Sequence, residues 1–204
     1  MVTNPARPYC IGLTGNIATG KSTVGQVLTE LGAQHIDADK VVHELMAPGE
    51  AAYHAIIAAF DAGGTLLNTD GSINRATLGR IVFDDPEALA RLEAILHPLV
   101  IAEVDHRIAT STAPVVIIEA IKLLEAGMAR HYDAVWVTTC PEVQQVKRLM
   151  QSRGMSRDEA LRRIHAQPPQ AEKIAQADVV LDTSGSKAAT REQILAVWKT
   201  IRTS

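Results

Sequence analysis

Tyr9-Cys10-Ile11-Gly12-Leu13-Thr14-Gly15-Asn16-Ile17-Ala18-Thr19-Gly20-Lys21-Ser22 is the stretch that decides the fold. Its first six residues read as a short apolar strand. The next eight fit the pattern G-x-x-x-x-G-K-[ST] in full. Val24, Val27, Leu28 and Leu31 then recur at helical spacing. A strand, a glycine-rich loop and a helix in that order form a cradle for a polyphosphate. Gly20 lets the chain adopt angles that a β-carbon forbids and come close to the ligand. Lys21 brings a mobile point charge to the β and γ phosphates, and the Ser22 hydroxyl is a hard oxygen ligand for Mg²⁺. The helix that starts near Lys21 turns its positive end to the same anion. The expected nucleotide-binding residues are therefore Ala18, Thr19, Gly20, Lys21, Ser22 and Thr23, with a nucleoside triphosphate and Mg²⁺ as the bound groups and Ser22 as the metal ligand.

Outward from this motif, short β-type runs alternate with longer helical patterns. Residues 114–119 (PVVIIE) form a continuous β-branched run, as expected of a strand buried on both faces. Residues 134–139 and 178–182 behave alike, and residues 34–37 make a weaker candidate. Helical stripes are read at Leu89, Leu92, Ile95 and Leu96; at Val143, Val146, Leu149 and Met150; and at Ile194, Val197, Trp198 and Ile201. Strands separated by such helices imply an α/β fold, a parallel sheet with right-handed crossovers. Residues 40–112 break the rhythm with helical segments and a turn-rich patch at 62–72. Such a long connection reads as an inserted helical subdomain or a substrate cover, between core segments 1–39 and 113–204. Residues 152–170 form a polar, basic segment with Arg153, Arg157, Arg162 and Arg163, ending in Pro168-Pro169.

Composition narrows the classes of function. The chain of 204 residues holds 20 Lys+Arg against 23 Asp+Glu, a net charge of −3, which suits neither a nucleic-acid coat nor a polybasic membrane anchor. Aromatic side chains make up 3% of the residues, too few for a base-stacking platform, so the core must be built from Ala, Val, Ile and Leu. Cys10 and Cys140 match no metal spacing and are expected as buried free thiols. Residues 1–8 carry no apolar core of a signal peptide, and no apolar run approaches the ~20 residues of a membrane span. The expectation is a cytoplasmic protein without nucleic-acid or membrane partners, monomeric or a small homo-oligomer.

The chain has neither the Asn-Lys-x-Asp nor the Thr-Lys-x-Asp that reads guanine, and it is small for a motor or transporter ATPase. A small-molecule kinase with a helical insert and an arginine-bearing flap fits best, since phosphoryl transfer is mostly positioning and charge neutralisation. Glu119, after the apolar run, reads either as a Mg²⁺-shell carboxylate or as an ordinary strand-end charge. Asp39, in Ile36-Asp37-Ala38-Asp39, reads either as the base that accepts the proton of an attacking hydroxyl or as the N-cap of the next helix. His97, ahead of Pro98, marks a corner between two helices unless it serves a substrate.

In this order, several further motifs resemble the dephospho-CoA kinase family. They are Ile36-Asp37-Ala38-Asp39, Leu96-His97-Pro98, Leu123-Leu124-Glu125-x-Gly127, Arg163-Ile164-x-x-Gln167 and Ala177-Asp178-Val179-Val180-Leu181-Asp182, and with the loop they run to about Ser186. The resemblance implies phosphorylation of the ribose 3′-hydroxyl of dephospho-CoA by ATP. It implies a three-layer P-loop core with a five-stranded parallel sheet, a helical substrate domain and a lid near 150–170. It makes Lys21 and Asp39 the catalytic pair, with Asp39, His97 and Arg163 on the substrate. The sequence departs from the family pattern at His43, where arginine is common. Glu119-Ala120-Ile121-Lys122 lacks the usual proline and gains Lys122. Ser152-Arg153 replaces a lid Arg-Asp pair, leaving Arg148, Arg153 and Arg163 as candidates for the phosphate contact. Asp182-Thr183-Ser184-Gly185 replaces Asp-Asn-x-Gly. Two rivals stand beside this reading: a P-loop kinase for another nucleotide-like or small hydroxylated acceptor, and a non-catalytic ATP-sensing module.

Overall fold

The computed structural model describes residues 7–83 and 85–201. Residues 1–6, which carry most of the leader reading, lie outside the described residues. In chain order the elements are β1 (Tyr9–Thr14), α1 (Lys21–Glu30), β2 (Gln34–Asp37), α2 (Ala38–Leu45), α3 (Ala51–Phe60), α4 (Arg75–Phe83) and α5 (Pro86–Ala109). They continue with β3 (Val115–Glu119), a 3₁₀ turn (Met128–His131), β4 (Ala134–Thr139), α6 (Glu142–Arg153), α7 (Arg157–His165), α8 (Gln170–Ile174), β5 (Val179–Asp182) and α9 (Lys187–Trp198). The sheet is five-stranded, in the order β2-β3-β1-β4-β5. β1 lies between β3 and β4, parallel to both, with Leu13 opposite Glu119 and Thr14 opposite Val137. The phosphate loop therefore leaves the C-terminal edge of the sheet from its middle strand.

The continuous apolar run at β3 has the cause read from the sequence: Val115, Val116, Ile117 and Ile118 are all fully buried, so neither face of that strand meets water. One face of the sheet (Ile11, Leu13, Val115, Ile117, Ala134, Trp136, Leu181) packs with Val24, Val27 and Leu28 of α1 and Ile194 of α9. Burying each such aliphatic side chain contributes about 1.5–3 kcal/mol, and this layer fixes α1 behind the loop. Cys10 and Cys140 are buried thiols outside any disulfide, as their apolar surroundings predict.

By contact the chain divides into two compact units. One comprises the described residues up to Ile36 and from Ile108 onward; the other is Asp37–Arg107. The second has its own core, in which Met46, Ala52, Ile56, Leu66, Ile73, Leu78, Val82 and Ala88 pack together. Asp61 Oδ1 accepts the Leu66 N–H, and the Tyr53 hydroxyl donates to the Gly71 carbonyl at 2.6 Å, so the turn-rich patch is pinned to α3.

Three local expectations are corrected. Leu96-His97-Pro98 is no corner: α5 runs unbroken from Pro86 to Ala109 with Pro98 inside it, because the apolar residues on both sides of the proline (Leu92, Ile95, Leu96, Leu99) pack on one core. The N-cap of α2 is Asp37, whose carboxylate accepts the Lys40 N–H, and Asp39 sits in the first turn instead. On α6 the apolar stripe is half real: Val146 and Leu149 are buried, whereas Val143 and Met150 face solvent.

Candidate active site

The loop from Gly15 to Ser22 is held by backbone angles that the sequence anticipates at its glycines. Gly15 has φ +148°, and a β-carbon there would stand 2.5–2.6 Å from Thr138 and Thr19. Gly20 has φ +95° and caps α1. Ala18 also takes a positive φ of 59°, costly for a residue with a β-carbon, and its carbonyl is gripped by Arg148 Nη1 at 2.9 Å. Thr19 is fully buried. Its hydroxyl lies 2.7 Å from that of Thr138 and donates to the Asn16 carbonyl, while its own carbonyl accepts from the Thr183 hydroxyl at 2.7 Å.

Lys21 is 8% exposed, and its Nζ donates to the carbonyls of Gly15 at 2.8 Å and Asn16 at 3.2 Å. The ammonium thus lies folded over the loop, its charge shared with two carbonyl dipoles that phosphate oxygens outbid. Among the described residues, the backbone N–H groups of Ala18, Gly20 and Ser22 have no protein acceptor. Donors left over at the start of a helix, with its positive dipole end behind them, form an anion site.

Glu119 ends β3 one strand away from the loop. It is 9% exposed, and its Oε2 lies 3.1 Å from Nε2 of His35, yet both atoms are buried without a hydrogen bond. An orphaned carboxylate oxygen at that edge and the exposed hydroxyl of Ser22 are both hard donors and fit Mg²⁺. Among the described residues no cluster of three His, Cys, Asp or Glu side chains makes a metal cage.

The three candidate arginines separate. Arg148 is committed to the protein: besides Ala18, it donates to the Thr183 carbonyl at 2.6 Å and to the Thr183 hydroxyl at 3.1 Å. It also reaches Cys140 Sγ at 3.4 Å. Arg163 is exposed on α7 with Glu159 at 3.3 Å, and Arg153 is exposed at the end of α6. Burial pushes the Cys140 thiol upward, and the nearby Arg148 charge opposes this only in part. Thr183, the residue after β5, links that strand to the loop through its hydroxyl on the Thr19 carbonyl.

Sequence reasoning passed over Thr138, Gln170 and Lys173. Lys173 is 2% exposed, and its Nζ donates to the Ile121 carbonyl at 2.9 Å and to Glu125 Oε1 at 2.6 Å. It thereby fastens α8 to the turn after β3.

Asp39, His97, His43 and Arg75 belong to the second unit. Asp39 and His97 are exposed, on α2 and α5. Nη1 of Arg75 lies 2.7 Å from Nε2 of His43, at the rim of a cavity of about 620 Å³ also lined by Met46, Pro48, Ile73 and Asn74. Lys122 is exposed in the turn after β3.

Comparison with known proteins places these features in context. Residues 9–189 match the family model described as dephospho-CoA kinase. A dephospho-CoA kinase of Carboxydothermus hydrogenoformans is 47% identical over 195 residues, covering 93% of this chain and 94% of its own length. Among solved structures, a Thermus thermophilus protein superposes with a TM-score of 0.86 at 33% identity, covering 97% of this chain and all of its own. Dephospho-CoA kinase from Campylobacter jejuni superposes with a TM-score of 0.68 at 27% identity, covering 93% of this chain and 95% of its own.

Proposed function

The chain belongs to the dephospho-CoA kinase family, and from that premise we propose how its own residues carry out the transfer of a phosphoryl group from ATP to the ribose 3′-hydroxyl of dephospho-CoA. The observation that carries the reading is the loop itself: a complete phosphate-binding sequence whose Ala18, Gly20 and Ser22 N–H groups lack protein acceptors, with Lys21 folded over it. The triphosphate displaces the Gly15 and Asn16 carbonyls from Lys21 Nζ and takes up the three N–H groups. Both contacts strengthen as negative charge gathers on the oxygens in transfer.

Ser22 and, directly or through water, Glu119 would hold Mg²⁺, which supplies charge neutralisation across the β and γ phosphates when bound. Asp39 accepts the proton of the acceptor hydroxyl as it attacks. His97 and the cavity beside Arg75 and His43 hold the acceptor; at about 620 Å³ the cavity is large enough for one of its arms. With Arg148 committed to Ala18 and Thr183, an exposed arginine such as Arg163 meets the transferring phosphates.

The test is a coupled ADP-release assay with ATP, Mg²⁺ and dephospho-CoA, run beside a panel of adenosine nucleotides. ADP release that depends on dephospho-CoA and yields coenzyme A supports the reading; release with another acceptor alone overturns it. Asp39→Asn is expected to abolish turnover while ATP binding, followed by equilibrium titration, stays within about twofold of wild type. Full turnover by that variant removes Asp39 as base.

A further inference from the structure

Asn16 and Ile17, which follow Gly15 in the phosphate loop, present a bonding problem that their own strand cannot solve. Asn16 is 5% exposed and Ile17 9%, and β1 has already ended at Thr14, so their N–H groups have no ladder partner. Two glutamines answer them. Gln167 Oε1 accepts the Ile17 N–H at 2.7 Å, and Gln170 Oε1 accepts the Asn16 N–H at 2.9 Å. Gln170 Nε2 in turn donates to the Thr138 carbonyl at the end of β4, and the Asn16 side chain donates to the Pro168 carbonyl, both at 2.9 Å. The Ile17 side chain is sunk among Val146 and Leu149 of α6 and Ala160 and Ile164 of α7. The corner between α7 and α8 therefore grips one half of the loop, while the other half keeps the N–H groups that lack protein acceptors.

We infer that Gln167 and Gln170 are positioning residues for the nucleotide: they fix the loop in its phosphate-accepting shape before ATP arrives. Two features select this residue type. A buried amide N–H needs an acceptor, since leaving it without one is costly. A carboxylate would satisfy it equally but would add negative charge behind a loop that must hold a polyanion. Glutamine is the neutral acceptor, and its own N–H₂ remains to brace Gln170 on β4. Pro168-Pro169 between them limits the backbone freedom of the corner and so the entropy lost in holding both amides.

The inference rests on the loop's binding of ATP phosphates, not on the identity of the acceptor. The experiment compares wild type with Gln167→Met and Gln167→Glu. Gln167→Met, of similar size but without an acceptor, is expected to raise the KM for ATP on the order of tenfold, the worth of one hydrogen bond. The KM for dephospho-CoA at saturating ATP stays at the wild-type value. Inorganic tripolyphosphate, tested as a competitive inhibitor, loses affinity by the same factor, which a general loss of stability does not produce. Gln167→Glu keeps the hydrogen-bond acceptor and so keeps the thermal midpoint. Its ATP affinity still falls, by a factor that shrinks as salt is added. Wild-type ATP KM and tripolyphosphate inhibition in both variants overturn the inference. Absence of dephospho-CoA turnover in the wild type would overturn the acceptor assignment alone, because the tripolyphosphate comparison can then be read by displacement of labelled ATP.

Discussion

Cys140 and Arg148 meet at 3.4 Å beneath the phosphate loop, and the balance between burial and charge decides what the thiol can do. Burial dominates and pushes the thiol above its ordinary range; the Arg148 guanidinium and the Thr183 contact pull it back only in part, and the Asp182 charge adds to the rise. A raised thiol pKa means less thiolate at neutral pH, and the thiolate is the nucleophile. Cys140 is therefore expected to react with iodoacetamide at pH 7.5 at least about tenfold more slowly than an unfolded-chain cysteine, and to reach the normal rate only in denaturant. Equal rates in the folded protein would contradict the burial argument. The buried, disulfide-less thiols were legible in the sequence because both cysteines stand in apolar runs. The separation of Arg148 from Arg153 and Arg163 was not. All three are long cations on or near one basic segment, and only the tertiary approach of α6 to Ala18 and Thr183 tells the structural arginine from the exposed ones.

At the scale of elements, the strands of the sheet were readable because a run such as Val115–Ile118, apolar on both faces, has few other homes. The helices of Asp37–Arg107 were harder to bound, and α5 shows why. A proline argues locally for a break, yet Leu92, Ile95 and Leu96 before it and Leu99 after it share a core, and that packing outweighs one missing hydrogen bond. The cost persists, since Pro98 has no N–H to offer the Ala94 carbonyl. Pro98→Ala is expected to stabilise the protein by about 1–2 kcal/mol, the helix-interior penalty of proline less the freedom regained by the unfolded chain. Thermal denaturation checks this as a rise of about 2–8 °C in a chain of this size. An unchanged midpoint would mean that α5 already satisfies the Ala94 carbonyl in another way. The α7–α8 corner shows the opposite failure. Gln167 stood out as part of a motif, but Gln170 and Lys173 gave no signal, because isolated polar residues acquire meaning only from the loop amides and carbonyls they reach.

On the scale of the whole molecule, the chain spends its sequence unevenly: Asp37–Arg107 builds a second compact unit, while the phosphate loop belongs wholly to the unit that holds the sheet. A ligand that binds only the folded loop must stabilise that unit by mass action. At an ATP concentration one hundred times its Kd, the gain is about 2.7 kcal/mol, or a rise in midpoint of about 5–11 °C. No acceptor is needed for this effect, because the bonds in question are those of Ala18, Gly20, Lys21 and Ser22. Lys21→Met removes the ammonium folded over the loop, along with its bonds to Gly15 and Asn16, so its own midpoint without nucleotide serves as its reference. Calorimetry of that variant is expected to show less than a third of the wild-type shift at the same ATP concentration, because a charge-assisted contact is worth about twice a neutral one. A full shift in the variant would place the nucleotide away from this loop and remove the premise on which the roles of Ser22, Glu119 and the two glutamines depend. A full shift in wild type, lost in the variant, ties the stability of the sheet-bearing unit to the occupancy of a loop of eight residues at its centre.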